Sequence, residues 1–232
     1  MSPQDPVIFQ FSLGGNLCVQ NAEQAAFKKT TEKLNMKALV LEARNKEEAL
    51  RLMDDNPTPY AILITDGGIT LRENQNLSRK VIDYARNGGK VVLSVFFASR
   101  TTFHNFDLYM QDWGLPWKLA TAIKINCMIN IQAIGCPGSI WERGMPALHD
   151  SKTMLLLGVR PNNCWYLPVR CYVHHRNEWI FKDIRLGDGI DGTPMAFTNV
   201  GKGFLGFTGN VEHSEATDAA IFSMLAINHK EW

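Results

Sequence analysis

The chain has 232 residues and a formal charge of +1 at neutral pH, from 24 lysines and arginines against 23 aspartates and glutamates. A chain of this length buries roughly 70% of its unfolded surface, so it can fold without a metal or disulfides. Its hydrophobic content of 45% excludes a wholly disordered chain. The near-zero charge excludes a protein that binds nucleic acid through overall basicity.

The sequence carries no segment typical of secretion or of a membrane span. Residues 7–13 are too short and too polar for a signal peptide, and no apolar run approaches the roughly 18 residues of a membrane helix. The five cysteines are odd in number and show no CxxC or CxxH spacing, which favours reduced thiols over disulfides or a zinc site. We expect a cytoplasmic protein with no membrane contact, no nucleic-acid partner, no metal and no cofactor.

The first half of the sequence alternates short apolar runs with amphipathic segments. Strands are predicted at residues 7–13, 38–41, 60–65 and 90–97. Helices are predicted between them, at about residues 20–34, 46–54 and 76–87. The strands are apolar throughout instead of alternating, which is typical of parallel strands covered by helices on both faces. This order predicts βαβ units with right-handed crossovers.

The second half is less regular. A helix is predicted from Phe103 up to a turn at Gly114-Leu115-Pro116, and a last helix is predicted after Ser214, at residues 215–227. Further strands are predicted at residues 124–132, 154–159 and 165–173, and a hairpin joins residues 195–200 to 204–209. Because no linker or repeat interrupts the pattern, we expect one domain over residues 1–232.

The predicted topology indicates where a ligand would bind. An open parallel sheet binds ligands beyond the carboxyl ends of its strands, and three such ends carry Gly14-Gly15-Asn16, Asp66-Gly67-Gly68 and Phe96-Phe97-Ala98-Ser99. The backbone N–H groups of the glycine turns could bind an anion, or the glycines could simply allow tight turns. Neither glycine run matches a dinucleotide-binding or phosphate-binding loop, so a nucleotide cofactor is not expected.

Polar side chains near the third strand end allow two interpretations each. Arg100 could pair with an anionic group of a ligand, or it could form a surface ion pair. Ser99 and His104 could carry out acyl chemistry, with Asp107 orienting the imidazole. Alternatively, the serine satisfies backbone groups at the strand end and the histidine lies on a helix surface.

Aromatic residues are concentrated just after the same strand. They could wall an apolar ligand pocket, form the core beneath a helix, or form a dimer face, since aromatic residues are enriched at interfaces. The cluster consists of Phe96, Phe97, Phe103, Phe106, Tyr109, Trp113 and Trp117.

Three stretches together carry a family resemblance. The first is the strand ending in Asp66-Gly67-Gly68, with the helix after it and Gly88-Gly89-Lys90-Val91-Val92. The second is the turn after that next strand, and the third is residues 194–209. They resemble the class I glutamine amidotransferase-like superfamily, and within it the trehalose-utilisation-type branch. The resemblance implies a three-layer, flavodoxin-like α/β fold, with a mostly parallel sheet between helices and a C-terminal β-hairpin.

The sequence departs from that superfamily at the catalytic position. The superfamily places a cysteine on the sharp turn after the strand, flanked by small residues. Here the turn reads Ser94-Val95-Phe96-Phe97-Ala98, and Phe96 matches the nucleophile. Because no cysteine is near, we do not expect glutamine hydrolysis through a cysteine. His213-Ser214-Glu215 has the spacing of the superfamily's late His-x-Glu, but it lies beyond Asn210, the better match to the strand end.

These observations favour a protein that binds a small molecule at the carboxyl edge of the sheet. Its predicted ligand-binding residues are Gly14, Gly15, Asn16, Gly67, Gly68, Phe96, Phe97 and Arg100. One alternative is a hydrolase, lyase or isomerase that acts on a small carbonyl compound, with Asp66, Ser99 and His104 as catalytic groups. The other is a catalytically inactive structural or partner-binding protein. A homodimer is possible under each hypothesis.

Overall fold

A computed structural model describes residues 5–14, 21–135, 145–175, 178–183, 192–212 and 214–227; of residues 21–26, 170–175 and 178–183 it describes the backbone only. Gly15, Asn16 and His213 lie outside the described residues. The strands, in chain order, are β1 (Val7–Phe11), β2 (Leu39–Ala43), β3 (Ala61–Ile64), β4 (Lys90–Leu93), β5 (Lys118–Ile129), β6 (Leu148–Leu157), β7 (Tyr166–His175), β8 (Glu178–Asp183), β9 (Met195–Val200) and β10 (Gly203–Thr208). The α-helices are α1 (Asn21–Asn35), α2 (Lys46–Asp55), α3 (Gln75–Arg86), α4 (Phe103–Trp113) and α5 (Glu215–Met224).

The central sheet has six strands in the order β2-β1-β3-β4-β10-β9. The first five are parallel, and β9 joins the edge antiparallel to β10. The hairpin of β9 and β10 confirms the prediction for residues 195–209. The mostly parallel sheet confirms the predicted α/β fold class.

Burial on both faces explains why the central strands are apolar throughout. All four residues of β3 are buried. Ile62 and Ile64 belong to one core, with side chains of α2, α3 and α4, whereas Ala61 and Leu63 belong to the other, with side chains of α1 and α5. Successive side chains of a strand point to opposite faces, so each strand needs apolar residues at every position. The predicted three layers are therefore present.

Local capping signals set the ends of the helices. The Thr102 side chain accepts a hydrogen bond from the backbone N–H of Asn105, and Gly114 ends α4 with a left-handed φ of 76°. Ser214 caps α5 in the same way, through the backbone N–H of Thr217. None of the helices in the described ranges is long and apolar enough to cross a membrane.

A second sheet was not predicted. It has four antiparallel strands in the order β6-β5-β7-β8. Isolated bridges join this part of the chain to the last two strands of the central sheet. Cys164, just before β7, pairs with Ala196 on β9, and Thr153 on β6 pairs with Asn210, just after β10. The sequence indicated parts of β5, β6 and β7 but not β8. It did not indicate how β5 pairs with β6 and β7, because those partners are distant from β5 in sequence.

Candidate functional site

Four hydroxyl side chains form a row at the carboxyl end of the central sheet. Ser12, Thr65, Ser94 and Thr208 each lie one position beyond the paired residues Phe11, Ile64, Leu93 and Phe207 of neighbouring strands. The oxygens of Ser12 and Thr65 are 2.6 Å apart, and those of Ser94 and Thr208 are 2.5 Å apart. These pairs satisfy hydroxyl groups that are largely buried. The hydroxyl groups therefore link the strand ends in two pairs, β1 with β3 and β4 with β10.

Asp66 holds two turns of this edge together. Its Oδ1 accepts hydrogen bonds from the backbone N–H groups of Leu13 (3.1 Å) and Gly68 (2.9 Å), and its Oδ2 accepts one from Gly14 (2.9 Å). The N–H groups of Gly14 and Gly68, predicted to bind a ligand anion, thus bind a carboxylate of the chain itself. A role of Asp66 in acid–base catalysis stays a prediction. Proton transfer to its carboxylate would compete with these three hydrogen bonds.

The two glycines after Asp66 allow the turns to pack closely. A Cβ atom on Gly68 would lie 2.6 Å from the Gly14 nitrogen, and one on Gly67 would lie 2.5 Å from Thr101 Oγ1. Such distances are shorter than van der Waals contact, so any larger residue would push the turns apart. Close packing is therefore a sufficient reason for glycine at both positions.

The turn after β4 contains a strained residue. Val95 has a left-handed φ of 61°, a conformation that a β-branched residue rarely adopts and that costs roughly 1–3 kcal/mol. Hydrogen bonds from the backbone N–H of Ser94 to the Ile64 oxygen (3.0 Å) and from that of Phe96 to the Thr65 oxygen (2.8 Å) hold the turn against β3. The sequence aligned Phe96 with the nucleophile, whereas the left-handed residue is Val95. Neither side chain has a nucleophilic atom.

The aromatic cluster is mostly core. Phe97 is fully buried, and its ring contacts the rings of Phe106 and Tyr109. Trp113 and Trp117 are also buried, so of the three interpretations the core beneath a helix describes these residues. Contact between Phe97 and a ligand stays a prediction that requires this core to open.

Phe96 differs from its neighbour in the same turn. It is half-buried, and its ring centroid lies 6.3 Å from that of Phe27 on α1. Because its side chain is half-buried, Phe96 is the predicted aromatic contact that a ligand could reach without disturbing the core. Gly15 and Asn16, also predicted ligand-binding residues, lie outside the described residues.

The other polar candidates lie on the same turn and at the start of α4. The Ser99 hydroxyl is exposed and donates to the Phe96 oxygen at 3.2 Å. Arg100 is half-buried, and His104 is exposed in the first turn of α4. None of the described contacts joins Ser99 to His104, so their cooperation in acyl chemistry stays a prediction.

The second sheet supplies a buried histidine that the sequence analysis missed. His149 on β6 lies with its Nε2 3.1 Å from Asn210 Nδ2, just beyond the end of β10. The same Nδ2 donates to Thr217 Oγ1 at 2.6 Å, and Asn210 Oδ1 is buried with no partner among the described atoms. With the amide in this orientation, His149 Nε2 accepts and the imidazole is neutral. No spacing signal indicates this contact, because His149 reaches Asn210 only through the second sheet.

Burial lowers the pKa of His149, and the nearby Asp150 carboxylate opposes this shift. The neutral ring is consistent with its position as an acceptor of the Asn210 amide. Within the described ranges, no three histidine, cysteine, aspartate or glutamate residues come together as a metal site.

A cleft of about 590 Å³ lies at the opposite end of the sheet. Tyr60 and Gly89, which line it, directly precede β3 and the start of β4. The Tyr84 hydroxyl donates to the Pro59 oxygen across its floor at 2.9 Å, and Lys80 forms an ion pair with Asp54 at its rim. The sheet topology did not predict this cleft. Variants in the cleft can therefore serve as controls for ligand binding at the carboxyl end of the sheet.

Replacement of Asp66 by asparagine tests its structural role. The amide keeps one accepting oxygen but turns an NH2 group toward a backbone N–H, so we expect unfolding free energy to fall by about 1–3 kcal/mol. Urea denaturation measures the change. The control is Asp83→Asn on the exposed surface of α3, for which we expect a change within about 0.5 kcal/mol; equal effects would contradict the proposed role.

Replacement of Val95 by glycine tests the strain in the turn. Glycine adopts the left-handed conformation without strain, so this change should cost at least about 1 kcal/mol less than Val159→Gly. Val159 is also half-buried, but its φ is not positive. Thermal and urea unfolding of both variants give the difference, and a cost at Val95 equal to that at Val159 would show that no strain is released.

The buried His149 should make stability depend on pH. Its folded-state pKa lies below the ordinary value of about 6.5, so below that pH the unfolded chain binds more protons and unfolding free energy decreases, by at most about 1.4 kcal/mol per pH unit. His149→Gln should remove this part of the pH dependence, whereas His104→Gln on the surface should leave it. Denaturation series above and below pH 6.5 measure both, and an unchanged profile in His149→Gln would refute the assignment.

Solved structures of ThuA-like proteins share this fold. The chain superposes on a putative ThuA-like protein from Bacteroides uniformis with a TM-score of 0.60 and 10% identity, over 97% of this chain and 91% of that one. A putative ThuA-like protein from Parabacteroides merdae superposes with a TM-score of 0.57 and 11% identity, over 99% of this chain and 93% of that one. A cytoplasmic protein from Salmonella typhimurium superposes with a TM-score of 0.54 and 9% identity, over 97% of this chain and 100% of that one.

No protein-family model and no curated protein matches the sequence. At about one residue in ten identical, the structural likeness concerns the fold. The chain therefore has the α/β fold of these two putative ThuA-like proteins.

Proposed function

We propose that this protein is a ThuA-like member of the class I glutamine amidotransferase-like superfamily that binds a small molecule at the carboxyl edge of its central sheet. The observation that carries the proposal is the left-handed backbone of Val95 in the turn after β4. This turn has the sharp, strained form of a nucleophile elbow, but it presents a valine and a phenylalanine. Strained backbone is concentrated at ligand clamps and active sites, so a binding role accounts for strain in a turn that has no nucleophile.

The groups around the turn suit a small polar ligand. Phe96 offers part of an aromatic face, Ser99 an exposed hydroxyl and the half-buried Arg100 a positive charge, all within one turn at the end of β4. A compound with hydroxyl groups and an anionic group would complement these three side chains. Hydrogen bonds from the turn to β3 fix the backbone beforehand, which lowers the entropy lost on binding.

Cysteine chemistry is not part of the proposal. The two described thiols belong to Cys127 on β5 and to Cys164, which bridges to β9, and both are buried. Burial raises the pKa of Cys164 to about 11 and raises that of Cys127 as well, so neither is a thiolate at neutral pH. The turn itself contains no sulfur.

The structural neighbours support the wider assignment. Two are described as ThuA-like, and one from Salmonella typhimurium is described as cytoplasmic. We extend both descriptions to this chain as proposals: membership of the ThuA-like group and a cytoplasmic location.

A thermal-shift screen tests the binding site. The panel consists of monosaccharides, disaccharides, sugar acids and small hydroxy acids at millimolar concentration. We expect at least one compound to stabilise the protein by mass action, and Phe96→Ala to weaken its affinity at least about tenfold, or 1.4 kcal/mol. Tyr60→Ala, in the cleft at the opposite edge, should leave the affinity unchanged.

Three results would count against the proposal. A compound whose affinity falls in Tyr60→Ala and not in Phe96→Ala would place the site in the other cleft. A panel in which no compound raises the melting temperature would remove the predicted ligand chemistry. If the purified protein released ammonia from glutamine and a thiol reagent blocked the release, the protein would be a glutamine amidotransferase that uses a cysteine.

A further inference from the structure

Three large apolar side chains form an exposed row on the outer face of the second sheet. Met128 on β5 is the register partner of Leu148 on β6 and of Leu167 on β7. Directly paired residues of antiparallel strands point to the same face, and these three are 47%, 65% and 37% exposed. The row therefore crosses three adjacent strands at one level.

The row is an exception to the pattern of this sheet. The neighbouring residues Cys127, Ile129 and His149 point inward and are buried. Farther along the outer face the exposed residues are charged, with Asp150 and Lys152 on β6. The solvent face of an antiparallel sheet is normally polar, so a localised apolar row indicates that another surface covers it.

We propose that the outer face of the second sheet is the interface of a homodimer. In this dimer the second sheets of the two subunits pack face to face, and a two-fold axis runs between them, parallel to β5. The axis places β6 of one subunit opposite β7 of the other. Leu148 then meets Leu167 of the partner subunit, and Met128 meets Met128 of the partner subunit. The row is thus complementary to itself under the symmetry that most soluble dimers adopt.

The face is also of sufficient size. β5, β6 and β7 have 12, 10 and 10 residues and β8 has 6. At about 3.3 Å per residue and 4.8 Å per strand, they cover about 600 Å² in projection. Stable interfaces bury about 800 Å² of accessible surface on each partner, and protruding side chains give a face more accessible area than its projection.

The aromatic cluster does not compete for this role. Phe97, Phe106, Tyr109, Trp113 and Trp117 are packed inside the chain, so they cannot form the dimer face that the sequence left open. The proposal does not depend on ligand binding, since the row lies on the second sheet.

Oligomeric state in solution provides the first test. Analytical ultracentrifugation of the full chain should show a dimer, and Leu148→Glu should raise its dissociation constant at least about tenfold. The matched control is Leu108→Glu, at a side chain 48% exposed on α4, which should remain dimeric. A wild-type monomer at all accessible concentrations, or a dimer weakened by Leu108→Glu and not by Leu148→Glu, would overturn the proposal.

Cross-linking provides the second test and does not rely on loss of association. Because Met128 lies next to the two-fold axis, and packed sheets are about 10 Å apart, which is farther than a disulfide spans, a short bismaleimide should join Met128→Cys to its copy in the partner subunit. The product is a covalent dimer band on a denaturing gel. Wild type and Leu108→Cys measure the background from native and off-axis cysteines. A Met128→Cys band no stronger than that background would exclude the proposed axis, even if the protein is dimeric.

Discussion

The carboxyl edge of this protein depends on one carboxylate. Asp66 accepts three backbone hydrogen bonds, from Leu13, Gly14 and Gly68, and so fixes the turn after β1 against the turn after β3. Charged acceptors strengthen such bonds, and glycine at positions 67 and 68 lets the backbones approach closely enough for them to form. The N–H groups of Gly14 and Gly68, which the sequence offered as anion-binding groups, therefore bind a carboxylate of the chain itself.

This internal anchor makes the strained turn possible. The end of β3, held by Asp66, supplies the carbonyl oxygens of Ile64 and Thr65 that bind the turn after β4. A left-handed valine persists only where its surroundings overdetermine the backbone. The Ser94–Thr208 pair adds a lateral connection to β10. The backbone of the turn that carries Phe96 is consequently fixed, whereas the side chain of Phe97, one residue along, belongs to the core.

The two faces of the second sheet carry different groups. Its inner face brings His149 to the end of β10, where Nε2 lies 3.1 Å from the Asn210 amide nitrogen and burial lowers the pKa of the imidazole. Its outer face carries the apolar row around Met128. A four-stranded sheet attached to the edge of a parallel sheet thus completes a polar cluster on one side and presents a docking surface on the other.

Local sequence determined much of this architecture. The apolar run at 61–64 and the caps Thr102, Gly114 and Ser214 act within a few residues, so their strand and helix ends are readable without the fold. The glycines beside Asp66 were also recognisable as turn residues. The tertiary structure alone decided that Asp66 binds those turns, that the strain falls on Val95, and that His149 meets Asn210, 61 residues away. These features depend on strand register and on contacts between distant segments, which no local pattern of apolar and polar residues encodes.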